Sequence, residues 1–398
     1  MNPLLEIISA EIDQRGAIPF EEFMRLALYC PVYGFYEKEE DRIGRNGDFY
    51  TSVSVGNLFG ELLAFQFAEW LFECQSGTRP VQIVEAGAHR GDLAKDILTW
   101  FRDYRPELFR QLQYSIIEPS PVRQKWQSAT LAEFVGKVRW LSRISHLSSV
   151  ASAKEVHAPV LRSAFGEGGS PITGIIFANE LLDAMPVRRF GWDAKKRTWF
   201  ESAVTLKNGN LAWARLECSR RGDGADGAPI YQNSTYSPFD INEDLLAVLP
   251  DGFTIEISLE AESWWIDAAR ASDRGKLMTI DYGATSEELI SPERINGTLR
   301  GYHRHHVTTN LLANPGEQDL TAHVNFSALI AAGEANGLKT ERFETQAQFL
   351  TNIVSRAQKY GANQQWNPTR ARQFQTLTHP EHLGRSFQVL VQSHHQTL

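Results

Sequence analysis

Apolar positions first recur at helical spacing: Leu4, Ile8 and Ile12 share one face, and the pattern stops at Gly16. Pro19 opens a second such pattern, with Glu21 and Glu22 in its first turn and Phe20, Phe23, Met24 and Ala27 on one side. Residues 29–48 are rich in Gly, Pro, Tyr and charge and predict a loop, after which Leu58–Phe72 resumes as a helix. From residue 81 the rhythm changes. VQIVEAG (81–87), QYSIIE (113–118), Val138–Leu141, GIIFANE (174–180) and KLMTIDYG (276–283) predict five strands, with helices over Asp92–Arg102 and near Val122–Phe134. Ile- and Val-rich runs that do not alternate with polar residues suit strands buried on both faces of a parallel sheet. Strand–helix alternation at these spacings predicts a doubly wound α/β fold.

The gap between the fourth and fifth predicted strands is too long for one crossover. Within it, Phe190–Leu216 reads as a β-meander with a Lys207-Asn208-Gly209-Asn210 turn, and residues 219–240 as a polar, Gly-rich surface loop. The expected organisation is a helical entry segment over 1–80, a Rossmann-like domain over 81–190 and 251–398, and a substrate-facing, β-rich insertion over 191–250. Residues 284–322 show no pattern. Helix Phe326–Asn336 and two last strands, LKTERFETQ and SFQVLVQ, complete the chain.

Composition narrows the function. The chain has 398 residues, 42% of them hydrophobic and 22% charged, enough for a sizeable core and against global disorder. A formal charge of −8 argues against gripping nucleic acid through the overall field. Three scattered cysteines, Cys30, Cys74 and Cys218, make neither a disulfide framework nor a Cys-rich zinc site. The N-terminal stretch reads as neither signal nor transit peptide, and the longest apolar candidate for a membrane span, Leu62–Phe72, is interrupted by Gln66 and Glu69. A cytoplasmic protein without a membrane or nucleic-acid partner is expected; a homodimer is left open.

The clearest chemical signal is Glu85-Ala86-Gly87-Ala88-His89-Arg90-Gly91, an acid at a strand end followed by glycines two and six residues on. Such a strand–turn–helix unit aims backbone N–H groups at a ligand. Glu118 ends the second strand, where a carboxylate can accept from both hydroxyls of a ribose. Dinucleotide binding requires G-x-G-x-x-G, and His89 breaks that pattern at its second glycine. S-adenosylmethionine binding uses an acid-x-G-x-G-x-G turn and has no pyrophosphate to approach, so the same loss matters less. An ordinary tight turn with Glu85 as a local cap is the third alternative.

Longer motifs bear on this choice. They are Gly47-Asp48-Phe49-Tyr50-Thr51-Ser52 with Phe59-Gly60-Glu61, Ile117-Glu118-Pro119-Ser120-Pro121, Ala178-Asn179-Glu180-Leu181-Leu182-Asp183-Ala184-Met185-Pro186-Val187, Asp281-Tyr282-Gly283, Gly297-Thr298-Leu299-Arg300, and residues 315–326. With these, in this order, the chain resembles over nearly its whole length the MidA-type S-adenosylmethionine-dependent protein arginine methyltransferases, whose mitochondrial members help assemble respiratory complex I. The resemblance implies a Rossmann-like class I methyltransferase sheet, S-adenosylmethionine as cofactor and a protein side chain, arginine, as acceptor. It also exposes departures. Ala88, His89 and Asp92 replace the family's Pro, Gly and Thr in the glycine turn, Val53-Ser54 replaces Pro-Glu, and Asn325 replaces Asp.

Roles follow from the resemblance. Glu85, Gly87, His89, Gly91 and Glu118 would line the cofactor, His89 at its edge or else facing solvent, with Asp48 facing its ammonium and Phe49 either shielding it from water or serving only as a packing anchor. Glu180 and Asp183, just past the fourth strand, would hold a guanidinium between carboxylates, Asn179 would accept from the acceptor nitrogen or from the cofactor amine, and the three would carry catalysis. Asp183 as a local cap is the plainer alternative. His303, His305, His306 and His323 tempt a metal reading, but they lack i, i+4 zinc spacing and methyl transfer requires no metal. No metal is therefore expected, and His305 and His323 are assigned to the acceptor cleft or its lid. Residues 191–250 and 284–322 would form the acceptor groove. Two competing readings remain: a catalytically silent relative acting as an assembly partner, motivated by His89 and Ser54, and a nicotinamide-dependent oxidoreductase.

Overall fold

A computed structural model describes residues 2–38, 51–74, 80–144, 171–217, 243–303, 306–359 and 366–394. The expectations at Asp48, Phe49 and His305, and the polar loop 219–240, lie outside the described residues. The chain divides into two compact units: one of residues 1–38, 184–259 and 285–325, the other of residues 39–183, 260–284 and 326–398.

The second unit is built on the predicted sheet. Its elements in chain order are α1 (Leu58–Cys74), β1 (Gln82–Ala86), α2 (Asp92–Tyr104), β2 (Gln113–Ile117), α3 (Pro121–Thr130), β3 (Val138–Leu141) and β4 (Ile172–Asn179). They continue with α4 (Leu259–Ala271), β5 (Ser272–Ala284), α5 (Phe326–Ala335), β6 (Leu338–Thr345), α6 (Gln346–Lys359), α7 (Pro368–Thr378) and β7 (Phe387–His394). The strands lie in the order β6-β7-β5-β4-β1-β2-β3. Pairings β1–β2, β2–β3, β1–β4 and β4–β5 are parallel, while β7 runs antiparallel to both β5 and β6. The chain builds outward from β1 to β3 and then crosses to β4, so the strand order switches between β1 and β4. Open α/β sheets bind ligands at the carboxyl ends of strands at such a switch. This is the Rossmann-like class I methyltransferase architecture expected from the sequence.

Helix α1 is apolar nearly all round because it is core. Leu63, Phe67 and Leu71 pack with Ile83 of β1, Phe177 of β4 and Phe349 of α6, and the Phe67 and Phe177 rings lie 5.1 Å apart. Its polar interruptions are satisfied by Arg356 of α6, whose Nε donates to Glu69 at 3.2 Å and whose Nη2 donates to Gln66. Among the described residues no helix is long and apolar enough to cross a membrane. Helices α6 and α7, which sequence periodicity did not mark, cover the sheet between β6 and β7.

Two glycines set how closely the central strands approach. Gly174 of β4 is paired with Gln82 of β1 on one side and with Gly275 of β5 on the other. Their φ angles are +148° and +133°, and an added β-carbon would lie 2.0 Å from the Gln82 carbonyl oxygen and 1.7 Å from that of Gly174.

The first unit is antiparallel. Arg188–Asp193, Thr198–Lys207, Asn210–Glu217 and Thr254–Ile257 form a sheet with the short strand Ile18–Pro19 at its edge. The predicted turn is present, with Asn208 and Gly209 both at positive φ (53° and 77°), as a two-residue hairpin loop requires. Helices Pro3–Arg15 and Phe20–Tyr29 bury Leu4, Ile8, Phe23 and Met24 against Val187, Val204, Leu299 and Leu320. The unpatterned stretch 284–322 proves to hold a three-stranded sheet, Arg300–His303, His306–Thr308 and Asp319–Thr321. Strands of three or four residues are too short to show a period of two. The division also differs from the expected boundaries: α1 segregates with the sheet through its apolar surface, while residues 1–38 and 285–325 join the meander.

Candidate active site

The turn after β1 is held by its own backbone. Gly87, His89 and Gly91 all adopt positive φ (72°, 46° and 86°), and the Gly91 N–H donates to the Ala88 carbonyl at 2.6 Å before α2 begins. A β-carbon at Gly87 would meet Leu181 Cδ1 at 2.8 Å, so the Leu181 side chain would have to shift, and the positive φ disfavours any other residue there. Glu85 does not stand open in the turn. It is 3% exposed, and the Tyr114 hydroxyl donates to its Oε2 at 2.7 Å. Burial pushes its carboxyl up to about 8 against the opposing pull of that hydrogen bond.

This has a consequence for stability. The folded protein holds a proton on Glu85 that the unfolded chain releases near the ordinary value of 4.5. Stability from this group is therefore full below about pH 4 and is lost as pH rises through about 8. Glu85→Gln should unfold at a higher urea concentration than the parent at pH 9, with little difference at pH 5. Equal midpoints for the two at pH 9 would contradict the sealed carboxyl.

Glu118 follows β2 and is 6% exposed. Its Oε1 accepts from the Ser120 N–H at 3.0 Å and its Oε2 from Gln127 Nε2 at 2.9 Å. These two bonds fix the orientation of the carboxylate.

At the end of β4 the chain turns sharply, with Glu180 at φ +52°. Asp281 of β5 makes the turn: its Oδ2 accepts from the N–H groups of Leu181 (3.1 Å) and Leu182 (2.8 Å), and its Oδ1 from that of Tyr282 (2.8 Å). Burial pushes Asp281 up to about 7 although these donors pull it down, and the Asp183 N–H adds to them. Glu180 Oε1 accepts from the Ser52 N–H at 2.8 Å and from Asn179 Nδ2 at 3.2 Å. Ser52 is itself fully buried, its hydroxyl donating to Gln346 Oε1 at 3.1 Å. Burial pushes Glu180 up to about 8. Among the described residues, Glu180 Oε2 and Asn179 Oδ1 are buried and have no hydrogen-bond partner. Buried acceptors left open cost free energy unless a donor arrives.

The second unit thus brings Glu85, Gly87, His89, Gly91, Glu118, Asn179, Glu180 and Asp183 to the carboxyl ends of neighbouring strands. His323 belongs to the other unit. Its Nδ1 faces Arg294 Nη1 at 3.0 Å and its N–H donates to Thr298 Oγ1 at 3.0 Å; burial, with Arg294 and Arg300 nearby, pushes it down to about 4, so it is neutral. His303 Nδ1 lies 2.7 Å from the Glu317 carbonyl oxygen. Ser54, where the resembled family carries a carboxylate, closes a local turn with Thr51 through reciprocal bonds of 3.0 and 3.1 Å. Sequence reasoning passed over Gln127 and the turn-holding part of Asp281. Asp281 lay within a quoted motif, whereas Gln127 is an unremarkable helical glutamine.

S-adenosylmethionine offers a ribose diol, a pair of donors, and Glu118 stands at the end of β2 as a carboxylate acceptor oriented by Ser120 and Gln127. The residues present fit that cofactor. Comparison with known proteins agrees. Residues 62–344 match the family described as "Putative S-adenosyl-L-methionine-dependent methyltransferase". The chain is 28% identical to the protein arginine methyltransferase NDUFAF7, mitochondrial, of Danio rerio, over 97% of this chain and 85% of the relative. The Homo sapiens protein of the same name is 26% identical, over 100% and 85%. A crystal structure from Burkholderia thailandensis bound to S-adenosyl-homocysteine superposes with a TM-score of 0.74 at 27% identity, covering 98% of this chain and 92% of that one. The native crystal structure of a Burkholderia thailandensis protein gives 0.72 at 28%, covering 98% and 91%. The chain belongs to this family of S-adenosylmethionine-dependent methyltransferases, with S-adenosylmethionine as its cofactor.

Proposed function

We propose that the protein methylates a protein side chain, the guanidinium of arginine. The observation that carries this reading is the pair of buried oxygens without a hydrogen-bond partner at the end of β4, Glu180 Oε2 and Asn179 Oδ1, both of them acceptors once Glu180 is ionised. A guanidinium presents five N–H donors in a flat fork, which such a pair can engage. That curated relatives are named protein arginine methyltransferases supports the same acceptor.

When bound, S-adenosylmethionine supplies an electrophilic methyl group on a sulfonium. In this reading Glu118 accepts from the ribose hydroxyls, and the turn from Gly87 to Gly91 brings backbone close to the methionine end. Asn179 and Glu180 fix the acceptor nitrogen, and Asp281 and Ser52 hold Glu180 in its strained turn. Glu180 takes the acceptor's proton. A carboxyl whose pKa stands near the working pH is suited to that task. Because the base must be ionised, kcat/KM should rise with pH through about 8, and the rise should vanish in Glu180→Gln. A profile that is flat from pH 6 to 9 in the parent would remove Glu180 from the role of base.

The direct test is incubation with methyl-labelled S-adenosylmethionine and a cell lysate, followed by acid hydrolysis of the proteins. Label in methylarginine is expected. Label confined to another residue would replace arginine as acceptor. Ser54 in place of the family carboxylate favours the second reading, a silent assembly partner, which transfers no label at all. Glu118→Ala should weaken S-adenosylhomocysteine binding about a hundredfold, as loss of two hydrogen bonds to a charged group implies, in titration calorimetry.

A further inference from the structure

Gln127 has no exposed surface, and its amide touches three parts of the proposed cradle at once. Nε2 donates to Glu118 Oε2 at 2.9 Å and to the His89 carbonyl at 3.0 Å, while Oε1 accepts from Trp140 Nε1 at 2.9 Å. An indole N–H is a donor only, so Trp140 of β3 dictates which end of the amide points where. With Oε1 committed to Trp140, both donors of Nε2 face the glycine turn and the acid after β2. The backbone closes in as well. A β-carbon at Gly91 would lie 3.5 Å from Gln127 Cα and 3.3 Å from Leu131 Cδ1, so the turn lies directly against α3.

We infer that Gln127 is a positioning residue for the cofactor: it locks the Glu118 carboxylate and the glycine turn to each other so that both walls of the cradle are set before the ribose arrives. This rests on the reading of Glu118 as the ribose-holding group. It also accounts for His89. A non-glycine residue at φ +46° in this turn is uncommon, and the conformation persists only where its surroundings over-determine it. The Gln127 bond to the His89 carbonyl, together with the Trp126 ring 6.2 Å from the His89 ring at 84°, supplies that restraint. The departure from glycine is thus matched by a strut from α3.

The order of events explains why such a strut matters. A carboxylate free to rotate must be frozen when it binds a diol, and that entropy is subtracted from affinity. Gln127 removes that freedom in advance. No proton moves through Gln127, so its loss should raise the cofactor's Kd and KM and leave the chemical step alone.

The test is calorimetric titration of S-adenosylhomocysteine into the full chain and four variants. Gln127→Glu keeps the shape but turns an acceptor toward Glu118; Gln127→Met keeps the length and removes both polar ends; Trp140→Phe removes only the donor that orients the amide; Glu118→Gln reports on the ribose-holding reading itself. Gln127→Glu and Gln127→Met should raise Kd about tenfold to a hundredfold, with kcat at saturating cofactor close to that of the parent. Trp140→Phe should shift Kd in the same direction by less. A merely structural glutamine would instead lower the thermal midpoint and the active fraction without moving the Kd of the folded molecules. If Glu118→Gln weakens binding while both Gln127 variants bind like the parent, the positioning role is wrong and the ribose reading stands. If Glu118→Gln binds like the parent, the ribose reading falls and the positioning role falls with it.

Discussion

Gly275→Ala should abolish folding of the central sheet or leave only a trace of soluble protein. The new methyl would lie 1.7 Å from the Gly174 carbonyl oxygen, inside a strand pairing that holds β5 to β4. Nothing flexible can yield there, because the opposing atom is backbone. The φ of +133° adds strain for any residue with a β-carbon. A cost above about 4 kcal/mol is expected, which consumes most of an ordinary domain's stability of about 5–15 kcal/mol. Gly136→Ala is the control without a clash: its φ of +84° is also positive, but nothing lies within 4 Å of the added carbon. That variant should lose only the backbone preference, about 1–2 kcal/mol. Soluble yield and urea midpoints compare the two. Equal losses would mean that the strand contact at Gly275 is looser than its geometry states.

Glu180→Gln should lower the rate of methyl transfer about a hundredfold to ten-thousandfold, the range of a lost general base. The substituted amide can still accept from the Ser52 N–H, so the turn and the fold should persist. Binding of S-adenosylhomocysteine should hold close to the parent value, because Glu118 is untouched. Single-turnover kinetics at saturating cofactor separate the two effects. A variant that transfers methyl groups at the parent rate would remove Glu180 from the chemistry, whatever its burial.

How much of this was legible beforehand depends on the range of each interaction. Strands β1 to β5 each carry a local run of Ile, Val, Leu or aromatic residues, and helical patterns or turn residues separate most of them, so local pattern marks them. Helices α6 and α7 went unmarked because their burial comes from α1 and the sheet, far away in sequence. The short strands around His303 and Leu320 are set by pairing across a loop, which no local period records. At the site, Glu118 and Glu180 could be found because strand ends and quoted motifs coincide there. The Tyr114 bond to Glu85 was not legible: it needs two neighbouring strands in one register, Glu85 against Ile116 and Ile83 against Tyr114. Thus an acid assigned to the ligand from its position proves to be engaged with a tyrosine of the adjacent strand. Gln127 escaped notice for the same reason, since its three partners come from three separate segments.

The reversed strand β7 has a consequence for synthesis. It is the last of the sheet's strands to be made, yet it lies between β5 and β6, which are completed earlier. Until residues 387–394 leave the ribosome, the open edge of β5 and the whole of β6 carry bare backbone donors and acceptors. A growing chain in this condition is a template for wrong partners. Chains stalled with β7 still inside the exit tunnel should therefore aggregate or recruit chaperones, whereas chains stalled on a C-terminal extension long enough to carry β7 out of the tunnel should hold a sheet already closed.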